Sequence, residues 1–110
     1  MKIGIDIQDT APFKRLVGTP KMGRMFSAYE LEYLATKNFA PQSMAGLFSA
    51  KEALFKALGT GIQKSKLSQY EVLHDKNGMP HFDVEGLKLS LSISHTKTTA
   101  VSVVIIENNF

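Results

Sequence analysis

Between Pro41 and Gly59 the sequence specifies one helix over about residues 41 to 58. In a chain of 110 residues a helix of that length dictates the rest, because every other segment has to be built to cover it. Pro41 suits a first turn, where its missing N–H is not needed, and Gly59 suits the left-handed residue that ends a helix. Placed at about 100° intervals around the axis, Met44, Leu47, Phe48, Leu54, Phe55 and Leu58 make an apolar stripe. Lys51 projects from the middle of it, Glu52 stands at its edge, and Lys56 lies one turn beyond Glu52 on the same side. An ammonium group in an apolar seam is costly unless an anion meets it. One reading is a lysine whose stem lies in the core and whose head snorkels to water, beside a routine Glu52–Lys56 pair worth about 0.3–0.5 kcal/mol. The other is that Lys51 and Lys56 face an anionic ligand.

The remaining segments are short. Residues 2 to 7 alternate, with Ile3, Ile5 and Ile7 on one side and Gly4 and Asp6 on the other, which is the period of a strand that buries its aliphatic face and points Asp6 away from it. Asp9 or Thr10 can cap a short helix over 11 to 17, with Pro12 in its first turn, and Gly18, Pro20 and Gly23 break it. Ser27-Ala28-Tyr29-Glu30 reads as a capping box, stapled by Phe26 on Leu31, for a helix over about 28 to 37. Strands are expected over about 69 to 74 and 81 to 84, joined at Asp75-Lys76-Asn77-Gly78. A further strand alternates through Leu87, Leu89, Leu91 and Ile93. The last, over 98 to 106, is apolar on both faces at Val101, Val103, Val104, Ile105 and Ile106, so one of its faces should be covered by another subunit. The order β-α-α-α-β-β-β-β describes one α+β domain over residues 1–110, a mostly antiparallel sheet packed against a long helix.

Composition narrows the function. The chain has no cysteine, so disulfides, thiolate metal sites and thiol catalysis are excluded and any metal must use oxygen or imidazole. No apolar run approaches the roughly 20 residues of a membrane helix, and residues 1 to 7 lack the make-up of a secretory signal, so the expectation is a cytoplasmic protein with no membrane partner. Thirteen Lys and Arg against ten Asp and Glu give a mildly positive field suited to anionic partners. Neither a basic run nor basic–aromatic interleaving is present, which argues against nucleic acid.

A magnesium site needs only one or two carboxylates plus substrate phosphates, because the ion keeps most of its water. Asp6 and Glu52 meet that need if strand and helix pack together, and Lys51 and Lys56 would then face the phosphates. Gly59-Thr60-Gly61 reads either as a backbone cradle for a phosphate or as a plain helix C-cap. His95 ends the run Ser92-Ile93-Ser94-His95, where a histidine is either a hydrogen-bonded structural residue or a catalyst.

Gly4-Ile5-Asp6, the segment from Phe48 to Ile62 with Lys51-Glu52-Ala53, Lys56-Ala57 and Gly59-Thr60-Gly61-Ile62, and Ser92-Ile93-Ser94-His95 resemble, in order and spacing, the three signatures of holo-acyl-carrier-protein synthases. The resemblance implies a 4'-phosphopantetheinyl transferase fold and an enzyme that moves the phosphopantetheine arm of coenzyme A onto a serine of an acyl carrier protein, releasing adenosine 3',5'-bisphosphate. It implies Mg2+ held by Asp6 and Glu52, phosphate contacts from Lys56 and His95, and a homotrimer with active sites between subunits. Asp6, Glu52, Lys56 and His95 are the expected catalytic residues. Lys51, Lys56, Gly59, Thr60, Gly61 and His95 are the expected coenzyme-binding ones. An idle relative that only binds coenzyme A or a carrier protein is the alternative, and an unrelated small nucleotide- or RNA-binding domain is a third. The chain departs from the family pattern at Leu47, where arginine is usual, in the late start of its first helix, and in having no amphipathic helix before Leu87. Lys14, Arg15, Lys21 and Arg24 form a basic cluster suited to steering an acidic carrier protein.

Overall fold

The structure, a computed structural model, describes residues 1–61, 63 and 66–108; Ile62, the last residue of the central motif, lies outside the described residues. Strand β1 (Lys2–Asp9) leads into a 3-10 turn over Ala11–Arg15 and then helices α1 (Lys21–Met25), α2 (Ala28–Thr36) and α3 (Pro41–Leu58). Strands β2 (Val72–His74), β3 (Pro80–Phe82), β4 (Leu89–His95) and β5 (Thr99–Ile106) complete the chain. β1, β5 and β4 form an antiparallel sheet in that spatial order, and β2 pairs with β3 as a separate hairpin. This is the α+β arrangement expected, with α3 lying on the three-stranded sheet.

Local chemistry accounts for most boundaries. Ser27 and Glu30 form the reciprocal capping box that opens α2. Gly59 takes a left-handed conformation (φ 75°) and closes α3. Asp75 Oδ1 accepts hydrogen bonds from the N–H groups of Asn77 and Met79, which folds the β2–β3 turn, and Gly78 supplies its positive φ. The stretch 11 to 25 differs from expectation. Thr10 precedes the 3-10 turn, but its hydroxyl donates to the Lys97 carbonyl at 2.8 Å and does not cap. Pro20 and Gly23, read as breakers, lie at the start of and inside α1, because proline is harmless at a helix's start and one glycine is tolerated within a turn packed through Met22.

The sheet has two unlike faces. Gly4, Asp6 and Gln8 stand opposite Val104, Ser102 and Ala100, and β4 adds Leu91, Ile93 and His95 in the same rows. This face meets α3 through small residues. A Cβ built on Gly4 would lie 1.9 Å from the Ala53 carbonyl oxygen and 2.6 Å from the Ala57 nitrogen. The Ser49 hydroxyl hydrogen-bonds Ser102 and donates to the Gly46 carbonyl oxygen. The buried surface of α3 is therefore wider than the expected stripe: Ala45, Gly46, Ser49, Ala50, Ala53 and Ala57 are buried with Met44, Leu47, Leu54 and Phe55. Phe48 and Leu58 are only partly covered.

On the opposite face the expectation for Ile3, Ile5 and Ile7 is corrected. They are 60%, 61% and 68% exposed, because the face that packs on α3 is the one carrying Gly4 and Asp6. Only a glycine lets the strand approach so near the helix backbone, which leaves the aliphatic face of β1 outward, beside Val101, Val103 and Ile105.

Substituting two glycines should separate these effects. Gly4→Ala forces β1 off α3 and is expected to lower stability by roughly 3 kcal/mol. Gly23→Ala meets nothing within 4 Å and should be neutral or stabilising by up to about 1 kcal/mol. Urea denaturation of both variants is the measurement, and equal midpoints would refute the close approach.

Candidate active site

The packing of β1 on α3 brings Asp6 to Glu52. Both are buried, at 6% and 7% exposure, although they are charged residues on a small protein. Gln8, two residues beyond Asp6 on the same strand face, donates from Nε2 to Asp6 Oδ2 at 2.9 Å and to Glu52 Oε2 at 3.2 Å. Lys56 reaches across from α3: its Nζ donates to the Ile5 carbonyl at 3.0 Å and pairs with Asp6 Oδ1 at 3.1 Å. The lysine thus serves the strand carboxylate, not the i,i+4 pair with Glu52, and its side chain stays half exposed.

These distances describe a concentration of negative charge answered by one cation. Burial, hydrogen bonding with Asp6 and the Asp6 charge push the Glu52 carboxyl up to about 7, while Lys56 pulls the other way. The donor set suits a hard divalent ion: two carboxylates on facing rigid elements, with an N–H donor spanning them where positive charge is favoured. Among the described residues no group of three His, Cys, Asp or Glu side chains stands together, so the pair is no all-protein cage. Two carboxylates completed by substrate oxygens and water is the pattern of magnesium.

Lys51 is corrected. It is fully buried, and its Nζ donates to the Met25 carbonyl (2.8 Å), to the Leu67 carbonyl and to Glu30 Oε1. All three donors of the ammonium are used inside the fold, so none is left for a coenzyme phosphate. Burial pushes its pKa down, and the Glu30 carboxylate pulls it back. Glu30 was legible only as a capping residue; its second oxygen accepts from the Val72 N–H at 2.8 Å.

Gly59 and Thr60 are likewise corrected as phosphate donors. Their N–H groups go to the Lys56 and Phe55 carbonyls in the cap of α3, so the helix-end reading holds for them. Gly61, at φ 66°, is exposed beyond the cap. His95 is exposed at the end of β4, in the row of Ala100 and Gln8. Among the described residues no hydrogen bond or ion pair joins it to Asp6, Glu52 or Lys56. It lines a cavity of about 220 Å³ together with Tyr33, Gly46, Leu47, His74 and others. There the Tyr33 and His74 rings stack at 3.8 Å, and His74 Nδ1 is buried without a partner. Leu47, buried against this cavity, brings it no charge.

The structure brings the expected residues Asp6, Glu52 and Lys56 together, and adds Gln8, which sequence reasoning did not single out. Its signal was available in the period of the strand, which sets residues 6 and 8 on one face.

Comparison with known proteins gives the chain a family and a fold. The sequence pattern of the 4'-phosphopantetheinyl transferase superfamily matches residues 2–105. The chain is 38% identical to a holo-[acyl-carrier-protein] synthase of Clostridium tetani, over 96% of this chain and 94% of that one. It is 39% identical to one of Treponema denticola, over 96% of each. Among solved structures, the Bacillus anthracis holo-(acyl-carrier-protein) synthase in complex with CoA (3',5'-ADP) superposes with a TM-score of 0.88 at 33% identity, covering 98% of this chain and 96% of that one. The Helicobacter pylori synthase in complex with coenzyme A gives 0.80 at 32% identity, covering 96% and 99%.

The pH response of the metal-free protein follows from Glu52. A carboxyl whose folded pKa lies above its unfolded value keeps a proton that the unfolded chain has released, so stability falls as pH rises from the ordinary carboxylate range through about 7. Thermal melts in chelator should therefore drop between about pH 5 and about pH 8, and Glu52→Gln should flatten that drop. Added Mg2+ is expected to restore stability at the alkaline end; a wild-type melting curve indifferent to both pH and Mg2+ would contradict the site as described.

Proposed function

The chain belongs to the 4'-phosphopantetheinyl transferase superfamily and, within it, to the holo-[acyl-carrier-protein] synthases, and from that premise we propose how its own residues divide the reaction. The enzyme transfers the 4'-phosphopantetheine arm of coenzyme A to a serine of an apo-acyl-carrier protein. The serine hydroxyl gives its proton to a water or carboxylate of the site as its oxygen bonds to the β-phosphorus, the anhydride bond to the α-phosphate breaks, and adenosine 3',5'-bisphosphate leaves. The observation that carries the reading is the facing pair Asp6 and Glu52, buried and spanned by one amide.

Asp6 and Glu52 would hold Mg2+, which when bound would supply Lewis-acid stabilisation of charge on the coenzyme's phosphate oxygens. Lys56 is anchored to the Ile5 carbonyl and Asp6 while half exposed, so its ammonium is held at the site's edge, where phosphate charge develops. Gly61, the part of the G-T-G turn beyond the helix cap, and His95 complete the phosphate contacts. Among the described residues no hydrogen bond or ion pair joins His95 to the carboxylates of its own subunit, and a site shared between subunits would give it a phosphate to meet.

The outer sheet face supports a homotrimer. Ile3, Ile5 and Ile7 are exposed beside the half-buried Val101, Val103 and Ile105, and a monomer in water would leave the three isoleucines of β1 bare. Lys14, Arg15, Lys21 and Arg24 are all exposed, in and after the 3-10 turn that follows β1, and suit steering of an acidic carrier protein. No helix among the described residues is long and apolar enough to cross a membrane. A cytoplasmic enzyme taking coenzyme A and a protein substrate fits the absence of cysteine.

Incubation with Mg2+, coenzyme A and an apo-acyl-carrier protein should add the phosphopantetheine mass to the carrier. Asp6→Ala and Glu52→Ala should each lower kcat/KM by roughly 10³-fold while circular dichroism stays native. Addition of the mass at wild-type rate by either variant would remove that residue from the metal site. For assembly, light scattering at micromolar concentration should give three subunits for the wild type and a smaller species for Ile5→Asp; a monomeric wild type would defeat the trimer.

A further inference from the structure

His95 is the last residue of β4 and pairs with Ala100, so the backbone of the turn that follows decides where its exposed ring stands. Thr96 closes that turn from within. Its N–H donates to the Thr99 carbonyl at 2.8 Å, and its hydroxyl accepts from the N–H groups of Thr98 and Thr99 at 3.3 and 3.1 Å. Thr96, Lys97 and Thr98 are all exposed, but the residue that meets them from β1, Thr10, is buried at 3% exposure. The Thr10 hydroxyl donates to the Lys97 carbonyl at 2.8 Å and its N–H to the Thr98 carbonyl at 2.9 Å, while its own carbonyl accepts from the Phe13 N–H at 3.0 Å. A threonine just ahead of a helical turn ordinarily caps it. Here the hydroxyl goes instead to a residue 87 positions away. The late start of the first helical turn makes this possible, because β1 runs on from Asp6 through Gln8 and Asp9, opposite Ala100 and Thr99, as far as the β4–β5 turn.

We propose that Thr10 is a positioning residue for the transfer: its two hydrogen bonds fix the backbone from which His95 projects, and so set where the imidazole meets a phosphate of the coenzyme, in whichever subunit's site that phosphate lies. A hairpin turn closed only by its own threonine is free to rock about the end of the β4–β5 ladder. Tied to β1 as well, it is held from both sides, and His95 is held with it. The constraint matters because a misplacement of about 1 Å can cost as much as ~100-fold in rate. The inference rests on the reading of His95 as a phosphate contact.

Steady-state kinetics of the intact enzyme, with coenzyme A and an apo-acyl-carrier protein varied in turn at saturating Mg2+, provide the test. Thr10→Val keeps the shape of the side chain and removes its donor. With a native circular-dichroism spectrum, it should raise KM for coenzyme A about fivefold and leave KM for the carrier protein unchanged. Thr10→Ser, which keeps the hydroxyl, should return the wild-type value. His95→Ala should raise KM for coenzyme A at least as far as Thr10→Val does. Adding Thr10→Val to His95→Ala should raise it no further, since a residue that acts through another has no effect once the other is gone. Additive losses in the double variant, an unchanged KM for coenzyme A in Thr10→Val, or a rise in KM for the carrier protein instead, would each overturn the proposal and leave Thr10 serving the fold or the basic segment that follows it. Should Thr10→Val not fold, Thr10→Ser decides, and a KM for coenzyme A raised as far as in His95→Ala overturns the proposal. An unchanged KM in His95→Ala is a different failure: it removes His95 from the coenzyme contacts and takes the proposal with it.

Discussion

The contact between Gly4 and the backbone of α3 is the constraint from which the rest of the molecule follows. No side chain larger than hydrogen fits there, since even a Cβ would lie within bonding range of the Ala53 carbonyl oxygen. Strand and helix therefore meet at backbone distance, and the residues along that seam are small: Ala53 and Ala57 on the helix, Ser49 against Ser102, Gly46 against Ile93. Such a seam buries little apolar area per residue but is stiff, because close-packed backbones have few ways to move. Two residues along the strand from Gly4, and one before Ala53 on the helix, stand Asp6 and Glu52. The stiffness that the glycine permits is delivered to the carboxylates, which are held facing each other on two rigid elements.

The same contact decides which face of the sheet meets water. Period-two alternation in β1 sorts isoleucines from Gly4 and Asp6 unambiguously, and hydrophobicity alone directs the isoleucines inward. The close approach reverses that choice. Burial of the face with glycine, aspartate and glutamine is favourable because α3 offers matching small residues and polar partners, and the isoleucines are displaced outward with Val101, Val103 and Ile105. One strand thus carries Asp6 on its inner face and an exposed aliphatic stripe on its outer face.

This history explains what could be read without coordinates. The ends of α2 and α3 and the β2–β3 turn are set by local chemistry, so the capping box, Pro41, Gly59 and Asn77-Gly78 located them to within a few residues. Asp6, Glu52 and Lys56 were legible because a charge at the wrong place in an apolar pattern is informative even before its partner is known. The burial of Ile3, Ile5 and Ile7 was misread because the deciding contact joins residues 4 and 53, whose proximity no window of sequence contains. Gln8 escaped notice for a different reason: an uncharged polar residue on a half-buried strand is ordinary until its amide is seen to touch two carboxylates.

Lys51 shows how neighbouring residues of one motif come to serve unrelated ends. Successive helical residues point about 100° apart, so Lys51 and Glu52 leave α3 in different directions. Glu52 faces β1 and the chemistry. Lys51 faces the irregular side of the molecule, where its ammonium collects the carbonyls of Met25 and Leu67 and the Glu30 carboxylate, which in turn receives the Ser27 and Val72 N–H groups. A buried ion pair is no reliable source of net stability compared with apolar packing, but leaving one partner alone costs about 3–5 kcal/mol. Its effect is to tie together α1, α2, the segment after α3 and β2, each of which also contributes a buried apolar side chain: Met22, Leu34, Leu67 and Val72. The Lys-Glu dipeptide in the motif is thus a structural hub followed directly by the carboxylate that faces Asp6, so adjacent residues of one helical turn answer two separate demands.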